Sequence, residues 1–239
     1  MPTVILEFDG SSNVIHQGPY NASFATLGSG LSGGLIENTP VVCGGSSENG
    51  YQNTCYAINE YEPFAYMTES RAFTGSIVHE DALWIFGGSC GTCGFSNLAS
   101  IEKISLENGS ETGFSDIPVS FSGCATTVKK YYTTWPPTLS VFAFLIGGMQ
   151  DNRMSNKTWL YDFEFDNWSE GPSLIGDPLL QANFANAHGC SSLDNGLVFT
   201  TGSGAFAETL LFDSFAEPSW IQGKNGIYDQ IRTRTVCIV

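Results

Sequence analysis

Between Val141 and Trp168 the chain runs VFAFLIGGMQDNRMSNKTWLYDFEFDNW, and this pattern limits the fold more than any figure of composition. Val141 to Ile146 is an apolar run short enough for a buried strand and too short for an ordinary helix. It stops at Gly147-Gly148, a pair that gives the backbone access to positive φ and to close approach by a neighbour. After the polar loop Met149 to Asn156, the segment Thr158 to Phe165 alternates. Trp159, Tyr161, Phe163 and Phe165 share one face, and Asp162 and Glu164 the other, which is the period of a half-buried strand. Asp166-Asn167 reads as a turn, and Trp168 opens a last short strand.

The same order returns elsewhere. Pro40 to Cys43 ends in Gly44-Gly45 and is followed by Cys55 to Ile58 and Phe64. Leu83 to Phe86 ends in Gly87-Gly88 and is followed by Ile101 to Leu106 and Phe114. Leu197 to Phe199 ends in a degraded copy, Gly202-Ser203-Gly204, followed by Thr209 to Phe212 and Trp220. The glycine pairs recur at steps of 43, 60 and roughly 55 residues. Strand-only repeats of about 50 residues point to an all-β propeller. The details resemble the kelch repeat, in which a di-glycine ends the second strand of each blade, a Tyr lies in the third and a Trp about seven residues on in the fourth. Tyr161 and Trp168 match that spacing, Phe212 and Trp220 match it loosely, and the resemblance covers roughly residues 19 to 220.

The resemblance implies an all-β, kelch-type propeller of four whole four-stranded blades, at about 19–70, 71–118, 119–172 and 173–220. A partial blade, 1–18, holds strands at Thr3 to Phe8 and Asn13 to Gln17 around the turn Asp9 to Ser12. Inner strands are expected at Gly30 to Ile36, at Phe73 to Val78 before a turn His79-Glu80-Asp81, and at Asn183 to Ser191. The third blade carries an insertion, Lys129 to Leu139, which reads as a surface loop or, more sharply, as a binding loop on a rigid scaffold. The terminal segment 232–239 reads as one more inner strand. Thr233 to Val239 would join the first eighteen residues in a composite fifth blade; the competing reading, slightly preferred, is a fragment of a larger ring.

Charge excludes one class of partner. With 24 acidic residues against 9 basic ones the formal net charge is −15, and Lys129-Lys130 is the only basic doublet, so nucleic acid is not expected. No stretch approaches transmembrane length, so membrane insertion is not expected, and the first ten residues lack the features of a signal peptide. Seven cysteines nevertheless suggest an oxidising compartment. So do sequons at Asn21, Asn108, Asn156 and Asn167, of which the first three are the expected glycan sites; Asn167 is set aside because Trp168 beside it is expected to be buried between blades. Cys43 and Cys55 flank a glycine loop on adjacent strands and are expected to pair. Cys90-Gly91-Thr92-Cys93 lies in the next such loop, where a loop disulfide is a better reading than redox chemistry or half of a zinc set. Cys124, Cys190 and Cys237 fall at matching inner-strand positions, and at least one of the three is free or paired outside the chain.

Catalytic signals are weak. His16, His79 and His188 fall on different blades, which argues against a shared metal site. Copper radical oxidases use the kelch fold, but their ligand constellation has no match here residue by residue. Asp162, Glu164 and Asp166 fit a solvated outer face better than a glycosidase pair. No nucleophile elbow, P-loop or EF-hand loop occurs. The expectation is a non-catalytic, cofactor-free, extracellular scaffold that binds a protein or glycan partner at a loop face. The alternatives are a propeller enzyme, copper radical oxidase-like or carbohydrate-active, and a fragment of an intracellular ubiquitin-ligase substrate adaptor.

Overall fold

A computed structural model describes residues 29–57, 60, 62–94, 96–132 and 139–173, together with the backbone of strands Val4–Phe8, Val14–Pro19, His188–Ser191, Gly196–Thr200, Ala207–Leu211 and Ser219–Gln222. No helix occurs among the described residues. Every named strand pairing is antiparallel.

Four four-stranded sheets follow one another in chain order, each strand beside its predecessor. The first is Ser32–Ile36, Thr39–Cys43, Thr54–Ala57 and Ala65–Tyr66. The second is Gly75–His79, Ala82–Phe86, Ile101–Ser105 and Gly109–Glu111. The third is Ala125–Tyr132, Leu139–Ile146, Thr158–Asp162 and Asn167–Gly171. The fourth holds the four strands from His188 to Gln222, with Trp220 opposite Leu210. The first strand of each sheet lies against the first strand of the next. The N-terminal strands Val4–Phe8 and Val14–Pro19 pair as a hairpin of their own.

The core lies between neighbouring sheets, and the 82–86 strand shows why its sequence has no polar face. All five of its residues are buried. Leu83 and Ile85 point into a cluster with Ile36, Val41, Cys43, Cys55 and Met67 of the first sheet and its exit. Trp84 and Phe86 point the other way, into a cluster with Phe121, Ala143, Leu145 and Tyr161. Period two is preserved, but both faces meet apolar neighbours, so the strand reads as a continuous hydrophobic run. Each such side chain contributes about 1.5–3 kcal/mol of transfer free energy.

The structure revises several sequence expectations. The third strand of the third sheet stops at Asp162, because that carboxylate accepts the N–H groups of Glu164 at 2.9 Å and Phe165 at 3.2 Å and turns the chain. Phe165 is 65% exposed, and Asp162, at 6%, is a buried turn-former and not part of a solvated face. The fourth strand starts at Asn167, inside the expected turn. Inner strands begin at Ser32 and Gly75, after Gly30 and Phe73, which both have positive φ (73° and 57°). The turn after His79 has two residues, since His79 pairs with Ala82; Glu80 and Asp81 take φ of 49° and 53°, the mirror-image hairpin geometry that suits strand twist. Both ends of the expected insertion are strand: pairing in the third sheet continues out to Tyr132 opposite Leu139, so Lys129 to Tyr132 and Leu139 extend the inner hairpin, and 133–138 lie outside the described residues. Cys124 precedes its strand. Asn21, Gly202 to Gly204, and the tail from 223 on, with Cys237 and the proposed closing strand, lie outside the described residues.

Candidate functional site

Three glycine pairs mark one edge of the first three sheets. Gly44 and Gly45 take φ of 66° and 100°, Gly87 and Gly88 57° and 100°, Gly147 and Gly148 64° and 75°. The φ of 100° at Gly45 and Gly88 lies beyond the left-handed values that residues with a Cβ adopt. The first two pairs also let the chain touch the segment leading into the following sheet. Gly45 N–H donates to Arg71 O at 2.9 Å, and Gly88 N–H donates to Phe121 O at 2.6 Å. A Cβ on Gly87 would stand 2.6 Å from the same Phe121 oxygen.

The lead-in segments in turn pair with the loops beyond the glycines. Ser29 bridges Ser46, Arg71-Ala72 pairs with Ser89-Cys90, and Phe121-Ser122 pairs with Met149-Gln150. One device therefore occurs three times, and it builds a row of loops at 46–53, 89–98 and 149–156. Neighbouring loops touch, since the space beside Gly91 is filled by Tyr51. Exposed at the tips are Glu48, Asn49, Thr92, Cys93, Asp151, Asn152, Arg153 and Met154.

Two side chains clamp these loops from beneath. Arg71 is 1% exposed. Its Nη1 donates to Gly87 O at 3.0 Å and Ser100 O at 3.2 Å, and its Nη2 to Ser100 Oγ at 3.1 Å and Glu102 Oε1 at 2.6 Å. Glu102, equally buried, also accepts from Thr68 N at 2.9 Å, Ser110 Oγ at 2.8 Å and Glu69 N at 3.4 Å. Burial pushes the guanidinium below its ordinary pKa, while Glu102 and then Glu69 push it back up. In the third sheet the equivalent carbonyls, Gly147 O and Lys157 O, accept instead from Gln150 Nε2 at 3.1 and 3.2 Å, and Gln150 Oε1 accepts from Trp159 Nε1. A neutral amide thus closes one loop and a cation the other. Neither Arg71, Glu102 nor Gln150 stands out in the sequence. Glu102 has a weak signal, as a lone acid between Ile101 and a strand whose both faces are covered.

The expected cysteine pairs are at disulfide distance. Cys43 and Cys55 face each other in register with Cα atoms 4.1 Å apart, both wholly buried. Cys90 and Cys93 pair across the tip of the 89–98 loop. Cys90 is buried and Cys93 exposed. Glu69 joins them: its Oε2 lies 3.9 Å from Cys90 Sγ and 3.8 Å from Cys93 Sγ. Among the described residues this is the one group of three potential metal ligands drawn from Cys, His, Asp and Glu. No sequence signal points to Glu69, which is 21 residues from Cys90 and arrives on the lead-in segment. Cys124 is a free, buried thiol whose pKa burial raises.

Tyr161 and Trp168 meet where the repeat suggests, with ring centroids 5.0 Å apart. Trp168 also meets Phe86 of the second sheet edge-on, and its Nε1 donates to Ser115 O at 2.9 Å. It thus spans two sheets but is half-buried, not buried. The neighbouring Asn167 is exposed on the alternate face of the strand, so the steric reason for setting that sequon aside does not hold. Asn108 is exposed in the turn before Gly109, and Asn156 is half-exposed. His79 stacks on Phe163, with centroids 4.1 Å apart, next to the turn acid Glu80.

No protein-family model matches the chain, and no characterised protein matches it significantly.

Proposed function

We propose that this chain is a kelch-like β-propeller module that binds a protein or glycan partner through the glycine-loop edge. The observation that carries the reading is the threefold recurrence of one construction: a left-handed glycine pair followed by a loop that pairs with its own sheet's lead-in and presents an exposed tip. The spaces between sheets are filled by apolar cores, so the edges are what such a scaffold offers to solvent. Loops held by a rigid β framework are the usual seat of recognition. The succession of four-stranded sheets, first strand against first strand, supports the propeller reading. Two cysteine pairs at disulfide distance are compatible with an extracellular location. No helix among the described residues is long and apolar enough to cross a membrane.

The test is a binding screen of the purified chain against arrayed glycans and displayed extracellular protein domains, repeated with two sets of variants. Substitutions at Glu48, Asn49, Arg153 and Met154 should abolish a hit, and substitutions at the opposite turns, Glu37-Asn38 and Glu80-Asp81, should leave it intact. The reverse pattern, or no hit in either library, would refute the proposal.

A further inference from the structure

We infer that the 89–98 loop carries a redox-gated site for a thiophilic divalent cation of the zinc class, with Glu69, Cys90 and Cys93 as its ligands. This inference is independent of the binding role proposed above. It starts from an oddity of the closed loop: a carboxylate oxygen faces two sulfurs at 3.9 and 3.8 Å. A disulfide has no proton to donate and no positive charge, so the oxidised pair gives the Glu69 oxygen nothing in return. Two thiolates and a metal ion would.

The distances already suit such an ion. Zinc–sulfur bonds of about 2.3 Å and zinc–oxygen bonds of about 2.1 Å at a tetrahedral angle put sulfur and oxygen about 3.6 Å apart and the two sulfurs about 3.8 Å apart. The two sulfur–oxygen separations are therefore within about 0.3 Å of what a tetrahedral ion asks for. Only the sulfurs must part, and they sit in a turn whose exit, Gly94, has φ of +75° and open space beside it. Cys90 Sγ is set up as a ligand: the Cys93 N–H donates to it at 3.1 Å, and the Thr92 hydroxyl lies 3.3 Å away. Donors aimed at a ligating sulfur orient it and stabilise its negative charge. Cys93 is exposed, which leaves a fourth coordination position open to water. Two sulfurs and one carboxylate favour zinc or cadmium over magnesium or calcium.

Opening the site is a thiol–disulfide exchange. A thiolate of a dithiol reductant attacks the exposed Cys93 sulfur, the Cys90–Cys93 bond breaks, and Cys90 leaves as thiolate and takes up a proton. The reductant's second thiol then attacks its own sulfur in the mixed disulfide and releases Cys93. The protein gains two electrons and two protons, and the reductant becomes a cyclic disulfide. The metal ion then displaces the two thiol protons. The Cys43–Cys55 pair is shielded from this attack by complete burial.

The experiment uses the full chain, oxidised or treated with dithiothreitol and desalted without oxygen, and titrated with cadmium or zinc alone. The readouts are bound metal per chain, the ultraviolet thiolate-to-cadmium band, and mass mapping of the cysteines that metal protects from alkylation. The expected result is one ion per reduced chain, none per oxidised chain, and protection confined to Cys90 and Cys93. Cys93→Ser should remove the ion, and Glu69→Gln should keep the thiolate band while weakening affinity about tenfold or more. Absence of binding by the reduced chain, protection at other cysteines, or unchanged affinity in Glu69→Gln would each overturn the assignment.

Discussion

Replacing Glu102 by Gln tests the clamp beneath the 89–98 loop. The side chain keeps its shape and loses its charge. Its two oxygens together accept from Arg71 Nη2, Thr68 N, Ser110 Oγ and Glu69 N. Whichever way the amide is turned, its NH2 faces donors. One arrangement opposes it to Arg71 and Glu69 N–H, and the other to Thr68 N–H and the Ser110 hydroxyl. Arg71, at 1% exposure, is then a buried cation without its close counter-charge. Breaking a buried pair from one side costs about 3–5 kcal/mol. Glu69 still attracts the guanidinium, so the lower end of that range, about 3 kcal/mol, is expected. For a chain of this size that corresponds to a fall in Tm of about 6–12 °C. Urea, which is uncharged, is the denaturant of choice, and the midpoint should fall at unchanged slope. Arg71→Met alone should cost a similar amount. The double variant should cost less than the sum by about 2–3 kcal/mol, because the second change removes the charge that the first left stranded. A Glu102→Gln loss below about 1 kcal/mol, or an additive double variant, would refute the reasoning.

Gly88→Ala and Gly50→Ala both force alanine to φ near 100°, but only at Gly88 does the new Cβ collide, 2.5 Å from Thr74 Cγ2 and 3.0 Å from Ala72 O. Chemical denaturation should show a loss of about 1–2 kcal/mol at Gly50 and at least about twice that at Gly88. Desolvation alone would raise the Asp166 pKa, but hydrogen bonds from the Tyr161 hydroxyl and from Ser115 outweigh it and hold the carboxyl below the ordinary carboxylate range. The stability it contributes is thus complete above the ordinary carboxylate range and lost as pH falls through that range toward the lower folded value. Melting temperatures against pH should show a shallower acid limb for Asp166→Asn than for the wild type. Trp168→Phe should cost about 1 kcal/mol, the bond to Ser115 O, and Trp168→Ala about 2–4 kcal/mol, at or below the range for a buried aromatic; equal melting temperatures for all three proteins would contradict its bridging role. Replacing Cys43 and Cys55 together by Ala should lower stability by about 3 kcal/mol in urea unfolding, for a sequence separation of 12 residues.

The sheets were legible in the sequence because their signal is local. Leu83 to Phe86 and Val141 to Ile146 are apolar runs closed by glycine pairs, and any strand that must bury two faces reads that way. The Cys43–Cys55 pairing was legible because a short loop between adjacent strands brings its two flanks into register. What escaped was any feature set by the partner a side chain finds, whether in its own turn or on another segment. Alternation alone assigned Asp162 to solvent, but a carboxylate that can cap its own turn is better used there than as a strand residue. Glu69 escaped for the same reason: its proximity to Cys90 and Cys93 depends on the pairing of Arg71-Ala72 with Ser89-Cys90, a register that no pattern within either segment reveals.

The loop edge also explains why a cation is buried in one sheet and an amide in the next. A glycine turn leaves a carbonyl with no strand partner, and a buried carbonyl needs a donor. Gln150 lies on the loop and reaches back, whereas Arg71 lies on the lead-in and reaches forward, so the two clamps insert from opposite sides of the same small ladder. Only the forward clamp brings a charge, and that charge must be neutralised locally. Glu102 supplies the close contact and Glu69 the longer-range attraction. Glu69 thus stands between the clamp, where its backbone N–H donates to Glu102 at 3.4 Å, and the 89–98 loop, where its Oε2 lies beside the two cysteine sulfurs. The 149–156 loop is clamped by a neutral amide, so its clamp calls for no second carboxylate, and the acid beside the cysteines belongs to the one loop whose clamp is a cation.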